Sequence, residues 1–217
     1  MIQAIIFDLD GVLVSTDDLH FQAWKQIADI EGIPFTREDN HRLRGVGRME
    51  SLMIILEKAV RKHSFDEKKN MADKKNNIYR ESLSTLTPSD ILPGAREILE
   101  ELRQNSIKTA IGSSSKNAME IMHRTALLNL VDVIIDGNAI NETKPSPEVF
   151  LKAAQRLGVN AEECLVIEDA MAGIEAGRRA GMAVFGIGTP QTLPGVKYLA
   201  KSLADVTVNE LLLLQPE

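Results

Sequence analysis

The chain has 217 residues, of which 44% are hydrophobic and 26% charged, proportions that leave room for one large or two modest cores and exclude a disordered or fibrous protein. A net charge of -6 at neutral pH argues against a broad nucleic-acid surface. The one cysteine, Cys164, excludes an intrachain disulfide and reads as a small buried hydrophobe, no run approaches a membrane span, and two aspartates interrupt the stretch a secretory leader would need, so a cytoplasmic protein is expected.

The first element is Ile5-Ile6-Phe7, a short apolar run without polar alternation, as in a strand buried on both faces of a parallel sheet. It runs into Asp8-Leu9-Asp10-Gly11-Val12. Carboxylates at positions i and i+2 of an extended chain point the same way. In a partly dry site they need either a shared proton or a divalent cation with oxygen ligands, although Asp-Gly is also an ordinary turn pair. Thr16, Asp17 and Asp18 then supply capping chemistry for a helix with His20, Phe21, Trp24, Ile27, Ala28 and Ile30 at helical spacing, and Gly32-Ile33-Pro34 stops it. Thr36-Arg37-Glu38-Asp39 resembles a capping box and opens a short second helix. Arg44-Gly45-Val46-Gly47-Arg48 is a loop; a third helix carries Leu52, Ile55, Leu56 and Ala59, and a fourth runs from about Asp66 to Leu86. Lys58, Arg61, Lys62, Lys68, Lys69, Lys74 and Lys75 make this region locally basic, mostly as a solvated helix face.

From Ile91 short apolar strands alternate with amphipathic helices. Strands are expected at 108–112, 133–135, 165–167 and 183–186. Helices follow Pro93-Gly94, Ser113 to Asn117, Lys144-Pro145-Ser146-Pro147 and Glu168-Asp169, and Thr207-Val208-Asn209-Glu210 caps a last helix through Leu214. The pattern predicts an α/β fold: a doubly wound parallel, Rossmann-like sheet formed by residues 1–14 and 90–217, with an all-helical domain, residues 15–89, inserted after the first strand. The carboxyl ends of such strands share one crevice, so Asp8, Asp10, Ser113, Lys144, Glu168 and Asp169 are expected to converge. Ser113 suits a phosphate oxygen at a helix start, or caps that helix; Lys144 before Pro145 aims a point charge; Glu168-Asp169 offers hard oxygen ligands, or a helix cap.

Asp8-x-Asp10-Gly11-Val12, Ser113, Lys144-Pro145 and Glu168-Asp169 with the small residues Ala170, Ala172, Gly173, Ala176 and Gly177 resemble the four motifs of the haloacid dehalogenase superfamily, over essentially the whole chain. The insert is similar to that of the helical-cap subgroup. Within it Thr16, His20, Trp24, Gly45-Val46, Arg48, Ser51, Lys75-Asn76 and Ser115-Lys116-Asn117 resemble the β-phosphoglucomutase branch. That resemblance implies Asp8 as nucleophile and one Mg²⁺ held by Asp8, Asp10, Glu168 and Asp169, with Asp10 ligating through its backbone carbonyl. It implies Ser113 and Lys144 on the transferring phosphate, and Asp10 as general acid and base placed by Thr16 and His20. Arg48, Lys116 and Asn117 would hold the other phosphate, with Ser114, Ser115, Trp24, Gly45, Val46, Ser51 and Lys75 among the further phosphate and substrate contacts. The implied reaction interconverts β-D-glucose 1-phosphate and glucose 6-phosphate through an aspartyl phosphate and β-glucose 1,6-bisphosphate. The expected enzyme is a monomer acting on a small sugar phosphate, with neither nucleic acid nor membrane as partner. The alternative is a sugar-phosphate phosphatase in which water attacks the same phosphoaspartate. Ser15, Arg44, Gly47 and Met49 depart from the branch pattern, all outside the phosphoryl-transfer core.

Overall fold

Ala4–Phe7, with every side chain buried, forms the central strand β1 of a six-stranded parallel sheet. The structure is a computed structural model and describes residues 2–216. Four helices follow β1: α1 (Asp17–Ile30), α2 (Arg37–His41), α3 (Arg48–Leu56) and α4 (Phe65–Leu83). The chain then alternates through α5 (Ala95–Gln104), β2 (Lys108–Gly112), α6 (Ala118–Arg124), β3 (Val133–Ile135), α7 (Glu148–Leu157), β4 (Cys164–Glu168), α8 (Met171–Arg179), β5 (Ala183–Ile187), β6 (Leu199–Ala200) and α9 (Val208–Leu212). The strand order is β3-β2-β1-β4-β5-β6, which reverses direction at β1 and so opens a crevice beyond its carboxyl end. Phe7 lies opposite Ile111 on one side and Ile167 on the other, so Asp8, the residues after Ile111 and Glu168 arrive at one level.

Alternation within β1 divides the core. Ile5 and Phe7 pack with Ile111, Leu165, Ile167, Leu99 and Leu102 on one face. Ala4 and Ile6 pack with Ala110, Val166, Phe150 and Ile174 on the other. A third cluster, including Trp24, Ile27, Phe35, Leu52, Ile55 and Met71, is confined to the helices between β1 and β2. The chain enters and leaves those helices through a paired stem: Val14 bridges Ile91 in antiparallel fashion, Ser15 N–H donates to Asp90 O at 3.0 Å, and Leu92 N–H donates to Leu13 O at 2.9 Å.

The capping boxes expected at Thr36 and Thr207 are present, and a further one at Ser64 opens α4. Other boundaries differ for local reasons. Helix α4 stops at Leu83 because the Ser84 and Thr85 hydroxyls donate back to the carbonyls of Glu81 and Ser82, offering the backbone a turn instead of a further helical ladder. Helix α6 begins at Ala118, directly after the stretch Ser113 to Asn117 as expected, but its N-cap position is Asn117 and not Ser113. The Ser113 hydroxyl accepts from Ser115 N–H at 3.1 Å and the Ser115 hydroxyl from Asn117 N–H at 3.2 Å, so those amides are taken up in two successive turns. The two-residue β6 and the separation of Ala59 from α3 carry no clear periodicity in the sequence. Cys164 is fully buried in the second core, and burial pushes its thiol up to about 11. Among the described residues no helix is long and apolar enough to cross a membrane.

Candidate active site

At the end of β1, Asp8 is 6% exposed, and its carboxylate accepts a hydrogen bond from the ammonium of Lys144, a side chain delivered by the loop before α7. The same ammonium donates to Glu168 Oε1 at 2.6 Å, and Glu168 also accepts from Ala170 N–H at 2.9 Å. Burial raises the Asp8 carboxyl well above the usual range; Lys144 works against this, while Glu168, Asp10 and Asp169 add to it. Burial alone would lower Lys144, but Asp8 and Glu168 reverse that and hold the ammonium above its ordinary value.

One carboxylate oxygen each from Asp8, Glu168 and Asp169 lies within 4.8 Å of the others. Asp169 is pushed up to about 7, first by burial and then by Glu168, with Arg44 and Lys144 opposing. Three carboxylates here are served by one buried ammonium and by Arg44, whose Nη1 stands 4.0 Å from Asp169 Oδ2. That surplus of hard oxygen donors with unrelieved negative charge fits a divalent cation. Backbone approach makes the cluster possible. Gly11, at φ +89°, has the Asp169 carboxylate where a Cβ would stand, and Gly173 has the Glu168 carboxylate in the same position.

Asp10 stands apart from this cluster by its side chain. Its carboxylate accepts from the Thr16 hydroxyl, and burial raises its pKa despite that bond. Thr16 occupies the N-cap position of α1 but makes no side-chain capping bond, because its hydroxyl is directed to Asp10. The expected cap is therefore a tether for the second aspartate. Ser113 is 1% exposed beside this group; its oxygen accepts from Ser115 N–H, leaving the hydroxyl proton available.

Behind Asp10, Lys75 Nζ sits 2.8 Å from His20 Nδ1, over the rings of Trp24 at 5.0 Å and Tyr79 at 4.5 Å. Lys75 is 3% exposed, an exception to the solvated basic face expected of α4. Burial and then the Arg48 guanidinium lower Lys75 to about 7, with Asp10 opposing; burial, Lys75 and Arg48 likewise depress His20 well below its ordinary value. His20 therefore faces Lys75 as a neutral acceptor. No carboxylate of the described residues pairs with Lys75, so we expect Lys75→Met to stabilise the fold at the expense of activity. A lysine depressed from 10.5 to about 7 binds fewer protons folded than unfolded between those values, so its penalty is complete below about 7 and fades as pH rises towards 10.5. The variant is expected to gain about 1–4 kcal/mol at neutral pH, with the gain shrinking in alkaline buffer. Thermal unfolding midpoints measured across that range check this, and an equal or lower midpoint for the variant at neutral pH contradicts it.

Between α4 and the loop from β2 to α6 lies a cavity of about 330 Å³ bordered by Arg48, Asn76, Arg80, Lys116, Asn117 and Glu120 among others. Asn76 Oδ1 accepts from Arg48 Nη2 at 2.7 Å and from Asn117 Nδ2 at 3.1 Å, joining the cap-side helices to the sheet-side loop. Ser114 Oγ donates to Gly45 O at 3.2 Å, and a Cβ on Gly45 would press on Ala170 at 3.1 Å, so the loop holding Gly45 and Val46 rests on the entry to α8. Trp24, at 2% exposure, belongs to the third core, Ser51 is buried at 3%, and neither borders the cavity. Sequence reasoning did not find Arg80, Glu120 or Asn138 on its border; each is a polar helix or loop residue without a local motif.

A family model described as haloacid dehalogenase-like hydrolase matches residues 2–181. The chain is 41% identical over 209 residues to a β-phosphoglucomutase of Bacillus subtilis (strain 168), covering 95% of this chain and 92% of that protein. It is 34% identical over 189 residues to a phosphorylated carbohydrates phosphatase of Thermotoga maritima, covering 85% of each. Its fold is similar to the crystal structure of a β-phosphoglucomutase from Clostridium difficile, with a TM-score of 0.91, 38% identity, and coverage of 97% of this chain and 95% of that one. The chain belongs to the haloacid dehalogenase-like hydrolase family, and within it resembles the β-phosphoglucomutases.

Proposed function

We propose that this enzyme is a β-phosphoglucomutase that interconverts β-D-glucose 1-phosphate and glucose 6-phosphate. The observation that carries the reading is a pair of anion-receptive sites. One is Asp8 with Lys144 and Ser113 at the strand ends; the other is the cavity with Arg48, Lys116 and Asn117. A bisphosphate intermediate requires two such sites; simple hydrolysis of a monophosphate requires only the first.

An oxygen of Asp8 attacks phosphorus in line, the bond from phosphorus to the sugar oxygen breaks, and that oxygen takes the proton from the Asp10 carboxyl. Burial raises the Asp10 carboxyl above its ordinary value, which favours the protonated form an acid needs, and Thr16 fixes its direction. In the return half-reaction Asp10 removes the proton from the other sugar hydroxyl as it attacks the phosphoaspartate, and the phosphoryl group leaves Asp8. Lys144 and Ser113 bind phosphate oxygens throughout, and Arg48, Lys116 and Asn117 hold the phosphate that is not moving. Asp8, Glu168, Asp169 and the Asp10 carbonyl would hold Mg²⁺, which when bound supplies the positive charge that lets an anionic phosphate approach these carboxylates. Residues 15–89 serve as the cap and residues 1–14 with 90–217 as the catalytic core, the paired stem being the junction.

The T. maritima relative is named as a phosphatase, which makes hydrolysis by water at the phosphoaspartate the competing reading. Phosphorus NMR separates them. With Mg²⁺, β-glucose 1-phosphate and a trace of β-glucose 1,6-bisphosphate, we expect glucose 6-phosphate to accumulate; accumulation of inorganic phosphate instead would establish the phosphatase.

A further inference from the structure

Three cations, Arg48, Arg80 and Lys116, and one carboxylate, Glu120, border the cavity between α4 and the β2–α6 loop. Their excess of two positive charges matches a phosphate monoester, which carries close to two negative charges at neutral pH. Arg80 reaches the cavity from α4. Its Nε stands 4.0 Å from Glu120 Oε2, an ion-pair distance too long for a hydrogen bond, and its side chain is 60% exposed. Among the described residues its guanidinium donates no hydrogen bond, in contrast to Arg48, which is committed to Asn76. Glu120 is held in place from the other side: Arg124 Nε donates to its Oε1 at 3.0 Å, and Arg124 Nη1 reaches Ser84 O at 3.4 Å across to the end of α4.

Building on the distal-phosphate reading above, we propose that Arg80 is a specificity-determining residue of this cavity. It turns from Glu120 onto the distal phosphate and selects a dianion there, and Glu120 is the fixed counter-charge that the phosphate must outcompete. Arg80 and Glu120 thus set the affinity for the doubly phosphorylated sugar in opposite directions. The planar fork of Arg80 can meet two phosphate oxygens at once, which a single ammonium cannot.

The test is steady-state kinetics with β-glucose 1,6-bisphosphate as the varied phosphoryl donor, on the full-length protein and its R80Q, R80K and E120Q variants. R80Q is expected to raise KM about fivefold with kcat within about twofold, the scale of one charge-assisted contact at a half-exposed site, and to make KM less sensitive to salt. R80K is expected to recover part of the loss, and E120Q to lower KM. Acetyl phosphate, which has no second anion, is the control donor. A rise in KM for acetyl phosphate equal to that for the bisphosphate marks a merely structural effect and overturns the proposal, as does a KM for the bisphosphate that neither R80Q nor E120Q moves. Wild-type protein that takes phosphate from neither donor overturns the proposed function itself, whereas a working wild type with unresponsive variants overturns only the role of Arg80.

Discussion

Asp8→Asn is expected to leave no detectable phosphoenzyme and to lower turnover by at least about 10⁴-fold, the scale seen when one member of a covalent-catalysis unit is removed. The amide keeps the volume of the carboxyl at the end of β1 and can still accept from Lys144, so the fold is expected to survive. It also removes one of three crowded carboxylates, so the variant is expected to be at least as stable as the parent in metal-free buffer. Intact mass after incubation with acetyl phosphate and Mg²⁺ reads the first effect directly. A phosphate adduct on the variant would remove Asp8 from its role.

Lys144→Met is expected to have the second largest effect, and here stability and activity fall together. The ammonium is buried with Asp8 and Glu168 as partners, and removing it leaves those carboxylates facing each other in a dry pocket. Loss of one partner of a buried ion pair costs about 3–5 kcal/mol. The sign of the pH dependence follows. Asp8 is already raised above its unfolded value, and without Lys144 it rises further, so the folded variant binds more protons than the unfolded chain from the ordinary carboxylate range upward. Its deficit is therefore largest at neutral and alkaline pH and shrinks as pH falls towards the unfolded carboxylate value. Denaturant unfolding at pH 5 and pH 8 checks this, and a deficit larger at pH 5 contradicts it. Mg²⁺ is expected to restore part of the stability but little of the activity, since the phosphate loses its buried ammonium.

Local chemistry explains why some of this was legible in the sequence and some was not. The strands were readable because burial on both faces leaves uninterrupted runs such as Ile5-Ile6-Phe7 and Leu165-Val166-Ile167, and the ends of those runs delivered Asp8 and Glu168 to one crevice. The capping boxes at Thr36 and Thr207 were readable because each closes within four residues. Thr16 misled for the same reason: its sequence context is that of a cap, yet its hydroxyl serves Asp10, a partner that only the turn after β1 brings near. Lys75 is one of several lysines on α4, and no pattern along that helix says that its face meets His20, Trp24 and Tyr79. Arg80 and Glu120 lie forty positions apart on helices that touch only after the insert folds back over the sheet. Residues whose partners are distant in the chain leave no periodic trace.

The stem formed by residues 13–15 against 90–92 lies immediately before Thr16. The two segments that join the helices to the sheet are thus hydrogen-bonded to each other one residue from the hydroxyl that holds the Asp10 carboxylate, so the geometry of this junction and the direction of the Asp10 side chain are set together. A change in that pairing is therefore felt first at Asp10, through Thr16, and not at Asp8, whose side-chain partner is Lys144.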